Sequence, residues 1–216
     1  MPETSQRSRE EANRVFNMAE RIILASSSEI RQQLLARVGL KFEVLPARID
    51  EDAVKSALLA ELAKPRDVAD ALAELKARKI GDKHPDALVI GSDQVLDFQG
   101  QMLSKPQNPD EAISQLKRMS GQRHSLLSAA VLFEDGKPVW RHVGVVRLHM
   151  RPLTANFIEK YVTRNWDSIR HSVGAYKLEE EGARLFTRIE GDHFNVFGLP
   201  LLELLSYLTL RGTLDA

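Results

Sequence analysis

The chain has 216 residues, no cysteine, and 30 Lys+Arg against 30 Asp+Glu. The balanced charge argues against a basic surface for long nucleic acids. The absent cysteine excludes disulfides and thiolate metal sites, and no apolar run reaches transmembrane length. A hydrophobic fraction of 43% supports a sizeable core, in one domain or two closely joined lobes. Met1–Arg21 is polar and lacks the apolar core of a secretory signal, so a cytoplasmic protein is expected.

Met18 opens MAERIILAS, a short polar entry into an apolar strand. Residues 1–20 therefore read as a flexible polar extension, with Met18 as an alternative start, and residues 21–216 as one catalytic domain. Arg21–Ala25 (RIILA) predicts a buried strand. After Ser26-Ser27-Ser28, the spacing of Ile30, Leu34, Leu35 and Val38 predicts a helix, with Ser28 as N-cap and Gly39 as stop. Lys41–Leu45 alternates as a half-buried strand, and Asp50-Glu51 favour a following helix N-terminus. Asp67–Ile80 is helical through Val68, Leu72 and Leu75. Ala87–Gly91 reads as a second buried strand ending at Ser92-Asp93, with Gln94–Phe98 continuing towards a turn at Gln99-Gly100.

Pro109–Met119 predicts a helix closed by Gly121. Ser125–Phe133 and Val139–Met150 flank the turn Glu134-Asp135-Gly136-Lys137 and predict an antiparallel hairpin. Thr154–Thr163 is helical, Arg184–Ile189 is a strand, and Leu201, Leu204, Leu205 and Leu208 mark a last helix with Pro200 at its first position. The turn-rich stretch 165–182 is the expected place for any crossing between lobes. Alternation of strands and helices followed by a long hairpin predicts a mixed α/β sheet.

Six segments carry residue types suited to chemistry, each with a plain structural alternative. The junction ILASSSEIR combines a helix N-terminus, serine hydroxyls and Arg31, which suits a phosphate; ordinary capping explains it too, and Glu29 competes for the positive field. Asp50-Glu51 suits a hard divalent cation or a solvated turn. Lys76 lies on the shoulder of an apolar stripe, where it either snorkels to water or points inward. Asp93 follows a buried apolar strand, where α/β proteins place ligands; it reads equally as a turn residue or as a group that binds metal and activates water. Pro106 holds Lys105 extended, as a phosphate-facing point charge or a surface lysine. Ser172–Glu179 sets small residues ahead of Tyr176, as a wall for a base or as a turn; Ile189–Pro200 reads as structural. The histidines lack metal-binding spacing, and neither GxxxxGK[ST] nor GxGxxG occurs.

Taken in order, ILASSSEIRQQLLARVGLKFEVLPARIDE, ELKARK, VIGSDQVLDFQGQMLSKPQNPDEAISQLKRMSGQRHS and GAYKLEEEGARLFTRIEGDHFNVFGLPL resemble the Maf family from Ile22 to Leu210. The resemblance implies an elongated, twisted mixed α/β sheet flanked by helices, with two lobes around a deep cleft, related to the inosine-triphosphate pyrophosphatase architecture. It implies a nucleoside triphosphate pyrophosphatase that uses Mg2+ or Mn2+, forms a homodimer, keeps non-standard nucleotides out of nucleic acids and has a link to cell-division arrest. A non-catalytic nucleotide-sensing regulator of division is the rival, and a phosphatase releasing orthophosphate a second one. By matching position, Asp93, Lys76, Lys105 and Arg31 are the expected catalytic residues, and Glu51 with Asp93 the metal ligands. Ser26, Ile30, Gln94 and Glu179 are the expected substrate-binding residues. Gln94 with Glu179 looks like the branch acting on 7-methyl-GTP, whereas Ile30, in a junction lacking the usual proline, matches neither that branch nor the thymidine/uridine-triphosphate branch.

Overall fold

The computed structural model describes residues 21–215, so the polar extension expected over 1–20 lies outside the described residues. Strands β1 (Ile22–Leu24), β2 (Glu43–Val44) and β3 (Leu88–Phe98) run parallel, while β4 (Gln101–Leu103), β5 (Arg123–Glu134), β6 (Lys137–Met150) and β7 (Phe186–Glu190) add antiparallel pairs. The order is β2-β1-β3-β5-β6-β7, with β4 also on β3. Among the described residues six α-helices flank this sheet: α1 (Glu29–Arg37), α2 (Glu51–Ala60), α3 (Pro65–Gly81), α4 (Pro109–Met119), α5 (Ala155–Ile169) and α6 (Leu201–Leu210). The expected mixed α/β class is what forms. Among the described residues no helix is long and apolar enough to cross a membrane.

Alternation along the strands sorts the core. Val89, Val95, Leu127, Ala129 and Val131 face α3, meeting Val68, Leu72, Ala73 and Ala77. On the opposite face, Leu24, Ile90 and Leu132 pack with α1 and α6 through Leu34, Leu35, Leu204 and Leu208. Further along that face, Leu96, Leu126, Val146 and Leu148 pack with α4 and α5 through Leu116, Met119, Ile158 and Tyr161. Each fully buried leucine contributes roughly 2 kcal/mol of transfer free energy. Between these two apolar clusters the inward positions are Ser92, Gln94, Ser128 and Gly144, so a polar seam separates the halves.

Helix α4 and the long hairpin form as predicted. Asn108 caps α4 by accepting from the Glu111 amide at 2.9 Å. The hairpin turn puts Asp135 and Gly136 at φ 49° and 74°, the left-handed pair that matches strand twist. Other boundaries move for identifiable reasons. Strand β3 does not end at Ser92-Asp93, because β5 pairs with it from Val89 to Asp97 and carries the chain straight through. Helix α5 runs past Thr163 to Ile169, since Trp166 and Ile169 still reach apolar neighbours. The predicted strand over Lys41–Leu45 shrinks to two exposed edge residues. In α3 the inward position belongs to Lys76, and Leu75 is exposed. Within stretch 165–182, Ala175 and Tyr176 are buried, with the Tyr176 hydroxyl 2.7 Å from His124 Nε2.

Candidate active site

The change from parallel to antiparallel pairing leaves a gap. Strand β1 occupies one edge of β3 only as far as Ile90, whose carbonyl accepts from the Ala25 amide at 2.8 Å. Hairpin partner β4 takes up the edge again at Leu96. Among the described residues no strand therefore pairs with 91–95 on that side, while β5 covers the other side throughout. Asp93 is at the middle of this gap.

Gly91, Asp93 and Val95 share the face beneath α3. A Cβ at Gly91 would stand 2.1 Å from the Ala73 carbonyl oxygen and 2.7 Å from Ala77 Cβ. Glycine there, with two alanines opposite, lets helix and strand approach closely. That approach brings the buried Lys76 within reach: its Nζ donates to Asp93 Oδ1 at 2.7 Å and lies 2.7 Å from Glu51 Oε1. Lys76 thus points inward, not out to water.

The acidic pair divides its labour. Asp50 caps α2, its Oδ1 accepting from the Ala53 amide at 3.0 Å. Glu51 opens the helix and turns to Lys76, with Oε2 3.7 Å from Lys55 Nζ. Burial raises the Glu51 pKa, but Lys76, then Lys105 and Lys55, outweigh it and hold the carboxyl below its ordinary value. Lys105, exposed in the loop after β4, therefore shares the same electrostatic neighbourhood. Asp93 is 5% exposed, and its Oδ2 is buried with no hydrogen-bond partner.

Arg31 lies buried below this group. Its Nε donates to the Gly198 carbonyl at 2.8 Å, and Nη1 donates to Ser26 Oγ at 3.2 Å and the Ser92 carbonyl at 3.0 Å. Burial lowers its pKa, opposed by Asp93 and Glu51, and a guanidinium stays charged under such a shift. Ser26 also accepts from the Ser28 amide at 3.2 Å.

Three expected substrate residues stand apart from the carboxylates. Gln94 faces the other side of β3, donating to Ser128 Oγ, the Asn195 carbonyl and the Val196 carbonyl at 3.0, 2.9 and 3.1 Å. Ile30 is half-buried on the first turn of α1, and Glu179 is exposed near a short helical segment, Glu181–Leu185. Among the described residues no hydrogen bond or ion pair joins either to Asp93, Glu51 or Lys76. Tyr176 belongs to the core, so it offers no open wall to a base.

Sequence reasoning gave no role to Ser128 or Lys55, read Ser92 only as the residue before Asp93, and read Asn195 and Gly198 as structural. Ser92 Oγ donates to the Gly198 carbonyl at 2.9 Å, and Ser128 Oγ donates to the Asn195 carbonyl at 2.6 Å. The Asn195 side chain fills the space where a Gly144 Cβ would stand. Only Lys55 carried a readable signal, four residues after Glu51 on a helix.

Two carboxylates and several cations thus gather where the central strand of a mixed α/β sheet has one open edge. The chain belongs to the Maf-like protein family, whose model matches residues 21–210. It is 66% identical over 194 residues, 90% of this chain and 98% of the relative, to the "Nucleoside triphosphate pyrophosphatase" of Ruegeria pomeroyi. It is 63% identical over 197 residues to the protein of the same name from Roseobacter denitrificans, covering 91% of this chain and 99% of the relative. Identity to the "7-methyl-GTP pyrophosphatase" of Rhizobium etli is 46% over 198 residues, 92% of this chain and all of the relative.

Proposed function

We propose that residues 21–216 form a single catalytic domain that hydrolyses a nucleoside 5′-triphosphate, canonical or modified, to the monophosphate and pyrophosphate. The observation that carries this reading is the convergence of Glu51 and Asp93 on Lys76 Nζ, in the gap of the sheet, with Asp93 Oδ2 buried and free. The names of the relatives at 66% and 63% identity support the reaction class. The gap between β1 and β4 lies at the floor of the two-lobed cleft in this reading.

The donor set fits Mg2+ or Mn2+. Both carboxylates are hard oxygen ligands, and Asp93 Oδ2 has no other partner. Among the described residues no three His, Cys, Asp or Glu side chains gather as a metal cage. That matches an ion of the Mg2+ kind, which takes one or two carboxylates and completes its shell with water and substrate phosphates. Held by Glu51 and Asp93, such an ion supplies charge neutralisation and an acidified water.

In the reaction, the oxygen of water bonds to the α-phosphorus and the bridge from the α- to the β-phosphate breaks. Asp93 accepts the proton of the attacking water and later releases it to solvent. Lys76 and Lys105 offset the charge on the phosphates and the leaving pyrophosphate, with Arg31 adding a fixed positive field from below. Ser26 keeps Arg31 in place. Gln94 reaches the substrate indirectly, through the Asn195 and Val196 carbonyls it holds; Ile30 and Glu179 line the nucleoside end. The protein works in the cytoplasm as a homodimer, keeping non-standard nucleotides from nucleic acids, with a link to cell division.

The test is a panel of canonical and modified triphosphates, including 7-methyl-GTP, assayed for both products. Asp93→Asn is expected to lower turnover by about two to three powers of ten. Orthophosphate as the product, or near-normal turnover in the variant, refutes the assignment.

A further inference from the structure

Three lysines act on Glu51, and one of them, Lys55, shares its helix and stands four residues on. Helix α2 has one inner stripe, in which Glu51, Val54, Lys55 and Leu58 are half-buried while Asp52, Ala53, Ser56 and Ala57 are exposed. Lys55 therefore points to the site and not to open solvent, and its side chain is only 18% exposed. Its one partner among the described residues is Glu51 Oε2 at 3.7 Å, too far for a hydrogen bond. The ammonium has three donors and uses none of them. Its Nζ is not among the buried side-chain atoms that lack a partner, so the ammonium reaches water and its donors are open to an incoming anion.

Charge points the same way. Lys55, Lys76, Lys105 and Arg31 set four positive charges against the two of Glu51 and Asp93. A triphosphate carries about four negative charges near neutral pH, and a divalent ion offsets two. The two that remain match the site's excess, and without Lys55 the excess falls to one.

We propose that Lys55 is a phosphate-binding residue, receiving the β- and γ-phosphates of the substrate and the pyrophosphate that leaves. This assignment rests on the nucleotide reading of the site and adds α2 to the elements that grip the ligand. In the free protein Lys55 and Glu51 share a loose ion pair; with substrate present Lys55 turns its donors to the phosphates.

The test uses inorganic tripolyphosphate, which needs no knowledge of the base, in titration calorimetry without divalent metal. Lys55→Gln is expected to weaken its binding by about tenfold to a hundredfold, the loss for a charged hydrogen-bonding partner, while Lys55→Arg stays within about threefold of the parent. With a hydrolysable triphosphate, Lys55→Gln raises KM and the inhibition constant for pyrophosphate far more than it lowers kcat. A lysine that serves only as a helix partner of Glu51 would alter stability and leave tripolyphosphate affinity unchanged; that result overturns the proposal. If Lys55→Gln loses affinity but the parent releases no pyrophosphate from any triphosphate, Lys55 stands and the activity reading falls. If the parent does not bind tripolyphosphate, both fall.

Discussion

Lys76→Met removes the cation between Glu51 and Asp93 while keeping most of the apolar stem against α3 and β3. Two contacts of 2.7 Å disappear. Glu51 can turn to Lys55, and a third of its side chain already meets solvent, so its share of the loss is small. Asp93 is 5% exposed and, among the described residues, has no second cation in contact. A buried carboxylate stripped of its partner costs about 3–5 kcal/mol. With a urea slope of about 2 kcal/mol/M, the midpoint at about pH 8 should fall by roughly 1.5–2.5 M. Millimolar Mn2+ should restore part of the midpoint, since the two carboxylates are then free to share an ion. A midpoint shift below about 0.5 M would refute the central role given to the Lys76 bridge.

Two further perturbations probe the supports of the site. Gly91→Ala places a methyl 2.1 Å from the Ala73 carbonyl oxygen, so α3 must move off β3 and carry Lys76 away from Asp93. A loss of about 2–3 kcal/mol in thermal unfolding is expected, together with a fall in pyrophosphate release; unchanged values would mean that the close approach is not needed. Burial, and secondarily His149, holds the His124 pKa down at about 4 from its ordinary 6.5. Its neutral form is favoured in the fold, so its contribution to stability is full above 6.5 and is lost as pH falls towards 4. The loss amounts to about 3 kcal/mol. His124→Gln, which keeps a partner for the Tyr176 hydroxyl, should flatten the acid limb of a melting-temperature profile; an unaltered limb rules His124 out as its source.

The fold class and most elements were legible because apolar spacing, caps and turns are local signals. The helix over Pro109–Met119 and the Asp135-Gly136 turn needed no tertiary information. The course of β3 did need it: Ser92-Asp93-Gln94 looks like a strand end until β5 is seen to pair across it. Lys76 was ambiguous for a similar reason, since nothing local tells a snorkelling lysine from one aimed at a carboxylate 17 residues away. Arg31 was legible as a cation near the site, but its backbone partners were not, because Gly198 is 167 residues distant. Ser128 and Asn195 carried no signal at all: their roles come from the pairing of β3 with β5 and from the empty space above Gly144.

Those distant contacts explain how a strand with one open edge keeps Asp93 in place. On the side of the gap, residues 91–95 lack the backbone ladder that fixes a central strand. The substitute is a set of side-chain bonds. Ser92 Oγ and Arg31 Nε both donate to the Gly198 carbonyl, Arg31 Nη1 takes the Ser92 carbonyl, and Gln94 holds the Asn195 and Val196 carbonyls. The two residues that flank Asp93 are thus pinned on the reverse face, while Lys76 pins Asp93 itself from the front. The gap can admit a ligand without letting the carboxylate drift, because the polar seam between the two apolar halves is used as its brace. Gln94 follows from the same logic as part of that brace: its amide is spent on the 195–196 carbonyls and not on the open edge of the strand.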